Sequence, residues 1–250
     1  MRMMDRRFVS SNGLVFDLGM NNGDDTVYYL KKGFRVVAVE ADPALVEEAE
    51  SRFADEIRAG RLHIHPMAIW REYARLPFYV SRKNTHWSSL DLSWASRDAG
   101  ETEPIQVDCV PLRHLFALHG VPMFLKIDIE GADEMLIDQL GDQTFLPAYL
   151  SVEDCRFGFR YLEKLMALGY DAFKLSNQAA VQECVDTECE YRFRMGSSGP
   201  MGEQVPGKWY SRDDILQTYV ECVRTRQDER RSPPGVWWDI HARAPKLLSI

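Results

Sequence analysis

The sequence predicts an α/β fold: a mostly parallel sheet with helices packed on both faces. Three observations carry that expectation. Short, nearly continuous apolar runs alternate with helix-length segments over the first two-thirds of the chain. A glycine-bearing turn joins the first of these runs to the first helix, and an acidic residue closes the second run. Continuous apolar strands are buried on both faces, and strands separated by helices return in parallel through crossovers.

The elements follow in order. Residues 13–18 form the first buried-type strand. Residues 24–32 form a helix, with Asp24 and Asp25 near its positive end and Gly33 stopping it. Residues 35–40 make the next strand. Asp42 then caps a second helix that Pro43 opens and that runs to about Ala59. Residues 62–65 read as a third strand. Residues 71–104 break the rhythm, with a short strand at 76–80 and a polar, aromatic loop at 85–97. Strand and helix then alternate again: strand 105–110, helix 112–118, strand 123–128, helix 132–140, strand 149–153 and helix 161–168. Residues 171–175 and 236–240 supply the last two strands. The stretch 176–235 contains a Gly/Pro-rich loop at 196–210 and a helix at about 212–226 that Ser211 caps. It reads as a substrate or lid insertion within one domain spanning residues 1–250.

Composition sets the class. With 45% hydrophobic and 27% charged residues, the chain is an ordinary globular protein, long enough for one sizeable core. Its 30 basic against 38 acidic side chains give a net charge of −8, which argues against nucleic acid as a partner. No apolar run approaches the ~20 residues of a membrane span. The basic start, residues 1–10, lacks the apolar stretch of a secretory signal. Cys109, Cys155, Cys184, Cys189 and Cys222 are scattered, without a CxxC pair, as in a cytoplasmic protein with reduced thiols.

The sharpest local feature is Asp17-Leu18-Gly19-Met20-Asn21-Asn22-Gly23, placed between a buried strand and a helix. Glycines there let backbone approach a ligand closely. Glu40 ends the next strand about 20 residues on, the placement that suits a ribose hydroxyl. The loop lacks the third glycine of a pyrophosphate cradle, and Asp17 would repel a pyrophosphate. A ligand carrying an ammonium and a sulfonium meets no such objection, which favours S-adenosylmethionine over NAD.

Lys126-Ile127-Asp128-Ile129-Glu130-Gly131-Ala132-Asp133 is the second feature. Three charges at the end of an apolar run are costly unless paired or used. A lysine beside carboxylates can orient a hydroxyl and help remove its proton; the plainer alternative is an ion pair and a helix cap. Of the histidines, His86 beside Trp87 is the best-placed candidate base, ahead of His63, His65 and His114. Trp209 and Tyr210, after the glycine-rich loop, read as a lid; Trp237 and Trp238 read as core strand.

These segments, with Glu40-Ala41-Asp42-Pro43 and the Trp87-Ser88-Ser89-Leu90 loop, resemble the signature stretches of FkbM-type methyltransferases over residues 12–175. The resemblance implies the class I, Rossmann-like methyltransferase fold, seven strands with an antiparallel last one, for which residues 236–242 are the candidate. It further implies S-adenosylmethionine-dependent O-methylation of a small molecule or sugar. Carried over by position, Asp17, Gly19, Asn21 and Gly23 surround the methionine part of the cofactor. Glu40 holds the ribose, and Ala41, Asp42, Met67 and Ala68 flank the adenine. Lys126, Asp128 and Glu130 face the reacting hydroxyl. Pro111-Leu112-Arg113 departs from the family pattern and receives no role. Asp128, Glu153 and Asp154, at the ends of neighbouring strands, are candidate ligands for Mg²⁺. A nicotinamide-dependent oxidoreductase and a non-catalytic nucleotide-binding module are the rival readings.

Overall fold

The computed structural model describes residues 6–156 and 158–245; residues 1–5 of the basic start lie outside the described residues. The chain runs β1 (Arg7–Val9), β2 (Leu14–Leu18), α1 (Asp24–Lys31), β3 (Arg35–Glu40), α2 (Pro43–Arg52), α3 (Ala54–Arg58) and β4 (Leu62–Pro66). It continues with β5 (Ala68–Ile69), β6 (Ala74–Ser81), the single-turn α4 (Leu92–Ala95), β7 (Thr102–Val110) and α5 (Leu112–His119). Then come β8 (Phe124–Ile127), α6 (Asp133–Leu140), β9 (Phe145–Pro147), β10 (Tyr149–Glu153), α7 (Gly158–Leu168) and β11 (Ala172–Asn177). A small hairpin of β12 (Val185–Asp186) and β13 (Tyr191–Arg192) precedes α8 (Arg212–Cys222) and β14 (Trp238–Arg243).

Seven strands make the central sheet in the order β11-β14-β10-β8-β2-β3-β4. From β10 to β4 every neighbouring pair is parallel, whereas β14 runs antiparallel to both β10 and β11. This is the sheet that the family resemblance implies, and its reversed strand begins at Trp238, two residues later than expected. The residues of β2 are buried throughout, as are those of β8. One face is covered by α5, α6, α7 and α8 through residues such as Leu115, Leu136, Leu165 and Tyr219. The other carries α1 and α2 together with Val181, Tyr191, Phe193 and Met201. The stretch 176–235 therefore contributes to both cores rather than lying outside them.

Two local expectations change. The strand at 105–110 does not join the central sheet. It pairs antiparallel with β6 and parallel with β5 in a separate three-stranded sheet. Its alternating exposure shows why: one face of β7 is left to solvent, which a central parallel strand cannot tolerate. The long second helix is broken at Phe53, whose φ of −108° and ψ of 23° leave the helical region. Its ring packs under Gly23, where a Cβ would come within 2.8 Å of it. No helix among the described residues is long and apolar enough to cross a membrane.

Because β2 has β3 on one side and β8 on the other, the chain direction across the sheet reverses at β2. A crevice opens beyond the carboxyl ends of strands at such a point. Gly19 makes the crevice possible. Its φ is +82°, and a Cβ there would lie 1.7 Å from the Asp128 carbonyl oxygen. Gly33 has a similar φ of +85° but open space around it. We expect Gly33→Ala to cost about 1 kcal/mol from strain alone. Gly19→Ala should cost at least about twice that, read as the difference between the two urea midpoints; equal losses would contradict the close approach.

Candidate active site

A cavity lies beyond the ends of β2, β3 and β8. Gly19 and Asn21 form its base, Glu40 and Ala41 one side, and Met67, Ala68, Ile69, Phe78 and Leu90 an apolar slot. Glu40 is 7% exposed. Its Oε2 accepts from the Asn21 amide and its Oε1 from the amides of Ala41 and Asp42, each at 2.8 Å. Burial raises the Glu40 pKa against the pull of these amides. Asn21 sits at φ 48°, a conformation asparagine tolerates better than most residues.

Behind this surface lies an ion cluster. The Lys126 ammonium is 3.2 Å from Asp17 Oδ1, 3.4 Å from Asp128 Oδ2 and 3.6 Å from Asp25 Oδ2, and it donates to the Gly19 carbonyl at 3.0 Å. Asp17 Oδ2 accepts from Thr26 Oγ1 at 2.6 Å. Burial alone would lower the Lys126 pKa, yet Asp17, Asp128 and Asp25 hold it well above the ordinary value. Burial pushes Asp25 up to about 6, with Lys126 pulling it down. Neither Lys126 nor Asp17 lines this cavity or the wider one beside it. Gly23 and Asp42 also stand back from the surface, Gly23 above Phe53 and Asp42 capping α2 through the Ala44 amide at 2.9 Å.

A second, wider cavity of about 640 Å³ opens over the ends of β8, β10 and β14. His86, Asp128 and Glu130 line both cavities. Of the four side chains expected at the reacting hydroxyl, these three therefore stand at the junction and Lys126 beneath it. Glu130 adopts φ 51°, unusual for a non-glycine residue, in a turn whose Ile129 and Gly131 amides donate to buried Asp133. Its Oε2 accepts from Trp94 Nε1 at 2.5 Å and from Arg97 at 2.8 Å. Burial and then Asp128 raise its pKa to about 8. Burial lowers the pKa of His86, with Asp128 opposing, so the imidazole is neutral near pH 7.

Asp128, Glu153 and Asp154, the expected Mg²⁺ ligands, all border the wider cavity, with Asp154 engaged by its neighbours. Asp154 Oδ1 accepts from the Tyr219 hydroxyl at 2.7 Å and Oδ2 from Arg224 Nε at 2.9 Å. Glu153 instead meets Glu130 and Cys155, with one ligand-type atom of each within 4.8 Å of the others.

The other candidates separate as follows. His65 Nε2 contacts His119 Nε2 at 2.8 Å and His63 stacks nearby, while His114 meets Tyr73; none lines either cavity. Of the two aromatic pairs, Trp238 lies in β14 against the main core as expected, and Tyr210 packs on the same core. Tyr210 pairs with Phe173 along β11, and Trp209 donates to Glu203, whereas Trp237 and Trp238 line the second cavity. Sequence reasoning missed Trp94 and Arg97, which hold Glu130, and Asp239, a lone acid in the apolar closing strand. That last signal is the same one that marks Asp17.

A family model for the methyltransferase FkbM domain matches residues 17–194. The match takes in the glycine turn, Glu40 and residues 126–133, and stops before α8 and β14. Among solved structures, an FkbM methyltransferase from Methylobacillus flagellatus KT is 19% identical with a TM-score of 0.36 over 61% of this chain; the present chain spans 34% of its length. The C-terminal domain of precorrin-6Y C5,15-methyltransferase from Rhodobacter capsulatus is 11% identical, TM-score 0.42, over 96% of this chain and 83% of that one. The 1,6-didemethyltoxoflavin-N1-methyltransferase of Burkholderia thailandensis is 10% identical, TM-score 0.36, over 92% and 70%. No curated protein matches.

The raised carboxyl pKa values fix a pH dependence. Burial and Asp128 hold Glu130 at about 8, so it keeps a proton that the unfolded chain has released by pH 6.5. The folded state thus binds more protons, and stability falls as pH rises through 8. Histidines with lowered pKa, such as His65 at about 4, act oppositely but only below pH 6.5. Thermal melts from pH 6.5 to 9 should show Tm falling by about 5 °C, and Glu130→Gln should flatten the slope. A Tm that rises over this range would count against the buried carboxyl group.

Proposed function

The chain belongs to the methyltransferase FkbM domain family, and we propose that it transfers the methyl group of S-adenosylmethionine to a hydroxyl of a small molecule or sugar. One observation carries this reading: the two cavities share a wall made of His86, Asp128 and Glu130. A methyl donor in the smaller cavity and an acceptor in the larger one would meet across groups able to handle a proton.

The residues present fit such a donor. The apolar slot at Ala41, Ala68, Ile69 and Phe78 suits an adenine ring, and the Glu40 oxygens retain lone pairs for ribose hydroxyls. The Gly19–Asn21 backbone faces the remaining amino-acid part. Asp17, Gly23 and Asp42 serve by holding that cradle from behind. Bound S-adenosylmethionine supplies an electrophilic methyl on a sulfonium.

His86, neutral and open to both cavities, accepts the hydroxyl proton in this proposal. Asp128 stabilises the imidazolium that forms, since its charge already favours protonation of His86. Glu130, pinned by Trp94 and Arg97, fixes the turn that carries Asp128. Fixed placement of the two reactants provides much of the acceleration. Acceptor choice falls to residues 176–235, which bring Gln178, Ser197 and Arg230 to the wider cavity. We place the enzyme in the cytoplasm, where its five free thiols would stay reduced.

Calorimetry with S-adenosylmethionine, S-adenosylhomocysteine and NAD tests the reading. The first two should bind saturably; binding of NAD alone would overturn it. Glu40→Ala should weaken S-adenosylhomocysteine by about 10–100-fold, the loss expected for charge-assisted hydrogen bonds. His86→Ala should leave that affinity nearly unchanged and lower kcat by about 10²–10⁴-fold once an acceptor is in hand.

A further inference from the structure

Glu153 on β10 and Asp239 on β14 are direct partners in the antiparallel register. Side chains directly opposite each other project from the same face of a sheet, and like charges so placed repel. Both line the wider cavity. Asp239 is only 4% exposed, yet its carboxyl group makes no hydrogen bond or ion pair with any described residue. Glu153 accepts only a long contact from Cys155 Sγ at 3.4 Å. The cations nearby are engaged elsewhere: Arg97 by Glu130, Lys126 by Asp17, Asp25 and Asp128, Arg224 by Asp154, and Arg230 by the Ser232 hydroxyl and the Val236 carbonyl. A carboxylate as buried as that of Asp239, facing the half-buried Glu153 and no direct counter-charge, is expensive.

The chemistry of the wall decides what would complete it. A compact metal cage is poorly served. Within reach are Glu130, whose Oε2 already holds Trp94 and Arg97, and Cys155. A metal would need the Cys155 thiolate, but burial and the acids around it favour the thiol. Beside the polar residues and Arg97, Arg224 and Arg230, the surface carries four indoles, Trp87, Trp94, Trp237 and Trp238; Arg97 already stands over the first two, which leaves Trp237 and Trp238 on the β14 side. Carboxylates set among indole faces are the combination that holds an organic ammonium. The space is that of an organic ligand rather than of a bare ion.

We propose that the Glu153–Asp239 pair anchors a protonated amine of the methyl acceptor, so that the acceptor is an amino-bearing alcohol such as an amino sugar. This rests on the methyltransferase reading, because it takes the wider cavity as the acceptor site. The amine would lie on the β10–β14 side, leaving its hydroxyl neighbour toward His86 and Asp128.

The test is calorimetry on the full chain saturated with S-adenosylhomocysteine at pH 7.5, using glucosamine, glucose, Mg²⁺ and Zn²⁺ as probes. Glucosamine should bind saturably and at least about tenfold more tightly than glucose, the advantage of one charge-assisted contact. Asp239→Asn and Glu153→Gln should each remove that advantage while S-adenosylhomocysteine still binds, which also certifies that the variants are folded. Equal or absent binding of the two sugars would overturn the proposal. So would metal binding that is lost in Asp239→Asn. If S-adenosylhomocysteine itself fails to bind the wild-type chain, the methyltransferase reading falls first; if it binds and glucosamine does not, only the amine site falls.

Discussion

The architecture around the site depends on one buried ammonium. Lys126 projects from β8 under the turn that follows β2 and touches carboxylates from β2, α1 and the end of β8, together with the Gly19 carbonyl. Three acids and one base in so small a volume bind the ends of two neighbouring strands to the first helix. Breaking a buried ion pair by removing one partner typically costs about 3–5 kcal/mol, because the other is left uncompensated. Here the loss would fall on three carboxylates at once. The tie extends further, since Asp25 also accepts from the Ser198 amide at 2.9 Å. The same knot thereby fixes the smaller cavity's base and one wall of the larger one.

This placement explains why Lys126, the most conspicuous charge of its segment, is not at the reacting surface. Its ammonium is fully engaged inward, and Asp128 stands between it and the cavities. Asp128 is thus divided: one oxygen faces Lys126 at 3.4 Å, and the residue also borders both cavities. A carboxylate held in that way is oriented without being neutralised by direct contact with a ligand. It can tune His86 because its own position is not adjustable. The left-handed turn at Glu130 completes the arrangement, and Asp133 holds that turn by two amide bonds.

The parts legible in the sequence are those whose cause is local. The strand, glycine turn and helix at 14–31 follow from apolar continuity, two glycines and two early acids. Glu40 at the end of β3 is equally local, and its three amide donors all come from residues 21, 41 and 42. What could not be read depends on pairing across the fold. Residues 102–110 look like any other strand until β6 claims them as a partner. The direction taken by Asp154 is set by Tyr219 and Arg224, some 65 to 70 positions away. Trp209 follows a glycine-rich loop, as a lid residue would, yet Tyr210 beside it is captured by Phe173; Trp238 sits in a strand, yet its end of the strand faces open space.

A charge within an apolar strand is the strongest sequence signal here, and the sheet holds it in two different states. Asp17 on β2 and Lys126 on β8 are register partners and neutralise one another. Glu153 on β10 and Asp239 on β14 are register partners too, but of like sign. The sheet's carboxyl edge is therefore electrostatically closed on the β2–β8 side and open on the β10–β14 side. A closed edge needs no ligand to be stable, which suits a rigid cradle for a cofactor. An open edge stays under tension until a cation or protons relieve it, which suits a site that must recognise one incoming molecule among many. The two states meet at Asp128, which belongs to the closed cluster through Lys126 and to the open one through the wider cavity.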